Sequence, residues 1–263
     1  MGAARAMIPL ADVVAACRYG VTTASRVHGK LRAAPTAALA AITGGGPTLV
    51  IAPHPDDESL GCGGLIAEAC EQRQEVHVLV LTDGAASHPA SRRFPPARLA
   101  ALRENETREA VAALGLMPDH VAFLRLPDGG APVAGRAARQ VANRIAQHAR
   151  ERGIRAILTS WDRDTHADHQ AAALLGRRAA RVLKARIMFY PVWGLTLPPR
   201  RLLPAVPLHA VRLDVARHLP AKRQAIACHR SQVSGLIDDD PGGFQLRPEI
   251  LELFLTDFET FIR

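Results

Sequence analysis

The chain has 263 residues, 48% of them hydrophobic, enough to bury a large core as one globular domain. It holds no internal repeat, no low-complexity tract and no uninterrupted apolar run of about 18 residues, so it reads as neither a solenoid nor an integral membrane protein. Thirty-three basic against 25 acidic residues give +8. However, basic clusters such as "GRRAARVLKAR" are short and diluted, and 4% aromatic residues leave little for base stacking. Solvated helix faces account for the arginines, and no nucleic-acid partner is expected.

The opening "MGAARAMIPLADVVAACRYG" is interrupted by Pro9, Asp12 and Arg18 and has no convincing cleavage site, so a cytoplasmic protein is expected. Residues 1–46 read as a helical extension that packs on the domain or lies on a membrane surface, ahead of a domain over 47–263. Cys17, Cys62, Cys70 and Cys228 form no C-x-x-C pair and read as reduced.

From residue 48, apolar runs alternate with helical periodicity. Strands are expected at 48–52, 75–84, 120–129, 155–162 and 186–193, and helices at 59–73, 96–115, 133–151 and 168–184. An edge strand at 208–215, helices at 216–230 and 247–263, and a loop through "SQVSGLIDDDPGGFQL" complete the reading. Alternation of this kind implies a Rossmann-like, doubly wound α/β fold: a mostly parallel sheet with helices on both faces.

The first strand runs into "APHPDDESLGCGG" and the fourth into "DRDTHADHQ". His54 and Asp57, three residues apart on a strand-to-helix turn, can face one point, and Asp56 can lean over it without ligating. Catalytic zinc takes imidazole nitrogen and carboxylate oxygen from three protein ligands and keeps a position open. If the two strands are neighbours, His166 or His169 can supply the third ligand and leave the other for substrate. Helix capping explains Asp56, Asp57, Glu58 and Asp168 equally well, but not the histidines. No G-x-G-x-x-G opens the first helix, so a nucleotide site is not indicated. Gly61, Gly63 and Gly64 read as packing positions.

"APHPDDESLGCGGLIA" and "HADH" resemble the A-H-P-D-D-E and H-x-D-H motifs of the LmbE/PIG-L family of zinc-dependent de-N-acetylases. The similarity continues through "LTDGAASH", "LRENETREAVAALG", "LRLPDG" and "RQAIACHRSQ", about residues 47 to 233. One departure is Pro53 ahead of His54, which leaves the ligand series intact. The resemblance implies one Zn²⁺ bound by His54, Asp57 and His169, with Asp56 as general base. It makes His166 the oxyanion stabiliser or general acid, and Asp168 the residue that orients His166. Arg103 matches an arginine associated with substrate, though pairing with Glu104 or Glu106 is an equal reading. Asp83 and Asp128 are candidates for sugar hydroxyls or for turns, and His229, Ser231 and Gln232 for the pocket rim or for buried roles.

The expected activity is removal of acetyl from an N-acetylated amino sugar, an N-acetylglucosamine conjugate. An amidase for larger acyl or thiol-conjugate amides uses the same site, and a basic binding protein with a structural metal is the reading from another class. Neither the aglycone nor the oligomeric state is set by the sequence.

Overall fold

The computed structural model describes Ala15 and residues 18–263. Of the expected 1–46 extension, residues 1–14, 16 and 17, Cys17 among them, lie outside the described residues. A short strand β1 (Val21–Thr23) and helices α1 (Ala24–Arg32) and α2 (Leu39–Thr43) come first. Four strand–helix units follow: β2 (Thr48–Ala52) and α3 (Asp57–Glu71), β3 (Val76–Thr82) and α4 (Pro96–Ala113), β4 (Val121–Leu126) and α5 (Gly135–Glu151), β5 (Ala156–Ser160) and α6 (Ala167–Leu183). The chain ends through β6 (Arg186–Tyr190), β7 (Leu202–Pro204), β8 (Ala210–Asp214), α7 (Leu219–Cys228), α8 (Arg230–Val233), α9 (Pro248–Leu251) and β9 (Phe258–Ile262).

Seven strands form one sheet in the order β4-β3-β2-β5-β6-β9-β8. The first five are mutually parallel, and β9 runs antiparallel to both β6 and β8. Every residue of β2, β3 and β5 is buried, which is why these strands read as continuous apolar runs rather than alternating ones. Alternate side chains serve opposite layers. Val50 and Ala52 pack with Leu60, Leu65 and Ile66 of α3, whereas Leu49 and Ile51 pack with Ile145 of α5 and Leu175 of α6. Full burial of each such aliphatic side chain contributes about 1.5–3 kcal/mol.

α3 lies unusually close to the sheet. A methyl group on Gly61 would stand 2.2 Å from Tyr190 Cδ2, and one on Gly64 would stand 2.5 Å from Val215 Cβ. The glycines therefore allow the approach that brings the start of α3, with its acidic residues, over the sheet edge. α1 docks through Ala24, Val27 and Leu31 onto Trp161, Phe189 and Ile262, and β1 pairs with β7.

The expected helix over 247–263 is corrected. Only Pro248–Leu251 is helical, and Phe258–Ile262 is a strand inserted between β6 and β8. Leu251, Phe254, Phe258 and Phe261 recur at helical spacing, but the alternation in "FETFI" also suits a strand, and the sheet decides between them. In that strand Glu259 points inward, where it accepts from Lys222 Nζ at 2.7 Å and from the backbone N–H groups of Gly64 and Leu65.

At the sheet's amino end the rings of His77 and His120 stack with centroids 4.4 Å apart, and His148 Nε2 is buried without a hydrogen bond. Burial, reinforced by the charges of Arg152 and His77, pushes the His148 imidazole down to about 4 from an ordinary value of 6.5. A histidine depressed in the folded state binds its proton preferentially when unfolded, so its contribution to stability is lost as pH falls from 6.5 toward 4. Urea unfolding of His148→Asn should therefore show a shallower acid decline than wild type between those limits. Parallel profiles would refute this.

Candidate metal centre

β2 and β5 are neighbours in register, Thr48 opposite Ala156 through Ile51 opposite Thr159. From this pair the chain builds outward in both directions, β3 and β4 on one side and β6 on the other. Open α/β sheets bind ligands at the carboxyl end of such a switch point. The turns after the two strands converge there: the rings of His54 and His169 lie 5.3 Å apart, and those of His54 and His166 4.6 Å apart.

Asp57 sits between the two buried imidazoles. Its Oδ2 is 3.3 Å from His54 Nδ1 and 3.2 Å from His169 Nε2. In each ring the other nitrogen is committed to a carboxylate: His54 Nε2 lies 3.1 Å from Asp168 Oδ2 and 3.3 Å from Asp128 Oδ1, and His169 Nδ1 lies 2.9 Å from Asp164 Oδ2. Donation through those nitrogens leaves lone pairs on His54 Nδ1 and His169 Nε2 facing an acceptor-only oxygen, an arrangement that requires a proton or a metal ion between them. His169 Nε2 is buried with no hydrogen-bond partner despite that proximity. Ligands about 2.0–2.2 Å from a tetrahedral ion stand about 3.3–3.6 Å from each other, close to the two spacings from Asp57 Oδ2. The donor set fits a small divalent metal.

The electrostatics agree. Burial alone would lower the His169 pKa, but Asp57 and Asp164 outweigh it and raise it to about 9, while His169 and His54 hold Asp57 far below the usual carboxylate range. Against the same penalty, Asp128, Asp168 and Asp57 hold His54 well above the ordinary histidine value. Carboxylates that favour positive charge on both imidazoles also favour a cation bound among them.

Asp56 is built differently. It precedes α3 with φ 146° and ψ −28°, a conformation that costs an L-residue on the order of 1–3 kcal/mol. Two side chains hold it there, Glu58 and an Arg103 that is itself anchored to the backbone. Glu58 Oε2 accepts its backbone N–H at 3.1 Å; Arg103 Nη2 donates to its Oδ2 at 3.1 Å and to Pro55 O at 2.7 Å; Arg103 Nη1 donates to Gly84 O at 2.8 Å. Burial raises the Asp56 pKa to about 6 against the pull of Arg103.

His166 is half-buried and caps α6, its Nδ1 accepting the Asp168 backbone N–H at 3.2 Å. That bond assigns the ring proton to Nε2. Asp168 is joined to His166 by this backbone hydrogen bond. Its carboxylate faces His54 and accepts from the Gly129 and Ala131 N–H groups at 2.7 and 3.0 Å, so it orients His54 rather than His166.

The remaining residues singled out in the sequence divide. Asp128 reaches the centre through His54. Asp83 Oδ1 accepts from the N–H groups of Ala85 and Asp128, a turn role. Arg103 is 3% exposed and engaged with Asp56, while Glu104 pairs with Arg125 and Glu106 with Ser231. The structure therefore places Arg103 against Asp56. His229, Ser231 and Gln232 are buried, not at a rim. His229 Nε2 stands 3.0 Å from Glu58 Oε1, behind Asp56.

Asp164 escaped the sequence reading. Fully buried, it fixes His169 and accepts from the backbone N–H groups of Val192, Trp193 and Gly194 at 3.1, 3.1 and 2.7 Å. Its only sequence signal, the second aspartate of "DRD", is indistinguishable from a turn. Two groups of three among the described residues bring donor atoms within 4.8 Å of one another around the centre: His54 with His166 and His169, and His54 with Asp128 and Asp168. A third, Glu68, Glu71 and His218, lies elsewhere and already has Arg217 against both glutamates.

No curated protein matches the chain. Among solved structures it is similar to N,N'-diacetylchitobiose deacetylase from Pyrococcus horikoshii, with TM-score 0.60 and 21% identity over 82% of this chain and 83% of that one. The conserved protein TT1542 from Thermus thermophilus matches with TM-score 0.58 and 26% identity over 82% and 93%. The zinc inhibited form of teicoplanin deacetylase Orf2 matches with TM-score 0.59 and 20% identity over 82% and 97%. At these identities the deacetylase matches establish the fold, and no helix among the described residues is long and apolar enough to cross a membrane. The family model described as "PIG-L: GlcNAc-PI de-N-acetylase" matches residues 49–180, just over half of the chain and the span that carries both converging turns, and the chain belongs to that family.

Proposed function

We propose that this chain is a zinc-dependent hydrolase that removes acetyl from an N-acetylated amino sugar, an N-acetylglucosamine conjugate in particular. The observation that carries the reading is the Asp57 carboxylate oxygen set between two imidazole nitrogens, beside an aspartate that is held off them by Arg103. His54, Asp57 and His169 would hold the ion. A zinc ion there supplies Lewis acidity and makes water nucleophilic near neutral pH.

The chain's own groups supply the rest. Asp56, with its pKa raised to about 6, is matched to take a proton from the attacking water near neutrality. His166, with its proton on Nε2, donates to the acyl oxygen as negative charge develops. The proton collected by Asp56 returns to the departing amine, so that acetate and a free amino sugar leave. Asp168 and Asp164 fix the orientation and tautomer of the two histidine ligands.

Removal of one such orienting carboxylate should weaken the metal without destroying the fold. Asp164→Asn is expected to lower zinc affinity about 10–100-fold, the usual cost of losing an outer partner of a ligating histidine, measured by competition with a chromogenic chelator. Unchanged affinity would mean that His169 does not ligate.

The function is tested by acetate release from N-acetylglucosamine joined to lipid, inositol, peptide or oligosaccharide, with and without chelator. The teicoplanin deacetylase match is to a zinc inhibited form, so zinc is added at one equivalent rather than in excess. Chelator-sensitive acetate release is expected. Release only of longer acyl groups would assign an amidase, and chelator-resistant turnover would remove the metal from the reaction.

A further inference from the structure

Only two tryptophans occur in the chain. Trp161 is 3% exposed and belongs to the core. Trp193 is half-buried and stands beside the centre, its ring 6.4 Å from that of His169. The same Asp164 carboxylate that orients His169 accepts the Trp193 backbone N–H at 3.1 Å, so the backbone that carries the indole is tied to the framework of the site. Phe244 meets Trp193 at 5.8 Å with their planes at 88°, and it is 37% exposed. Together the rings make a right-angled aromatic corner next to the reacting position.

The corner is braced from behind by the aspartate-rich stretch that the catalytic reading leaves unused. Asp239 accepts from the backbone N–H groups of Arg92 and Arg93 and from Ser91 Oγ, at 2.9, 2.9 and 2.7 Å, and Asp240 accepts from Ala90 N–H at 2.9 Å. The Phe244 N–H donates to Ser87 O at 2.7 Å, and a methyl group on Gly243 would stand 2.2 Å from His88 Cδ2. The segment carrying Phe244 is thereby tied to the segment that follows β3. An exposed aromatic on a braced loop keeps its position without a ligand, which lowers the entropic cost of binding one.

We infer that Trp193 and Phe244 form a stacking subsite for the pyranose ring that bears the acetamido group. A pyranose presents a face of C–H bonds to an aromatic ring and keeps its hydroxyls at the perimeter, and sites for such ligands combine aromatic walls with a few polar groups. Asp128, only partly buried and 3.3 Å from His54 through Oδ1, is the polar group at hand. The inference rests on the deacetylase reading for its ligand, and the test separates the two.

Binding is read first by tryptophan fluorescence of the full chain, loaded with one equivalent of zinc and titrated with N-acetylglucosamine and its β-linked dimer. Saturable change is expected in wild type and should vanish in Trp193→Phe, because Trp161 is enclosed. Kinetics are read second. Phe244→Ala should raise KM for the acetamido sugar about tenfold with kcat held within about twofold, and Phe244→Tyr should restore KM. An unaltered KM in Phe244→Ala, or a fluorescence change that persists in Trp193→Phe, overturns the subsite even when the enzyme releases acetate. Saturable, Trp193-dependent binding without acetate release keeps the subsite and overturns the deacetylase reading.

Discussion

Asp56→Asn is expected to lower kcat by about 10²–10⁴-fold, the usual contribution of a positioned general base, while leaving bound zinc at one equivalent. The substitution keeps the shape and removes the charge that accepts the proton. Retention of metal follows from the geometry, since the ligand candidates are His54 Nδ1, Asp57 Oδ2 and His169 Nε2, and the Asp56 carboxylate is held instead by Arg103 at 3.1 Å. The variant also retains the backbone N–H that Glu58 accepts, so the strained turn keeps its anchor. Metal content by atomic absorption and turnover on the same sample separate the roles. Full activity in Asp56→Asn would dismiss it as the base, and loss of zinc would make it a ligand.

His169→Ala should behave in the opposite way, losing zinc affinity by more than about 100-fold, beyond the usual cost of losing an outer-sphere partner, and activity along with it. The change also leaves Asp164 buried with one partner fewer, although three backbone N–H groups still satisfy that carboxylate. The stability penalty should accordingly stay near that of a buried polar deletion, about 1–3 kcal/mol. A variant that binds zinc normally would show that the ion sits elsewhere, and a fold that collapses in the metal-free wild type as well would show that the centre is structural.

The sheet and the position of the site were legible because burial leaves a simple trace. Thr48–Ala52 and Ala156–Ser160 are mostly apolar and buried throughout because both faces are covered, and the charged residues directly after them can only lie at the strand ends. Pairing of β2 with β5 could be posed as a condition but not read, because it depends on the crossover between distant segments. The C-terminal strand was missed for the same reason: "FETFI" becomes a strand once β6 and β8 offer it a place.

Inside the site, residue types were legible and partnerships were not. Asp164 looks like a turn residue until the backbone of 192–194 arrives from the next strand's loop. Arg103 reads as a substrate contact or a partner of Glu104 or Glu106 until its guanidinium is found 3.1 Å from Asp56 Oδ2. Asp168, assigned by resemblance to His166, turns its carboxylate to His54 instead. In each case the deciding contact joins segments far apart in the chain, beyond the reach of local spacing.

Where the ion sits is measured most directly by anomalous scattering from crystals grown with one equivalent of zinc. A single peak is expected within bonding distance of His54 Nδ1, Asp57 Oδ2 and His169 Nε2, with the Asp56 carboxylate not coordinated. A peak between His54 Nε2, Asp128 and Asp168, or no peak beside Asp57, would contradict the assignment.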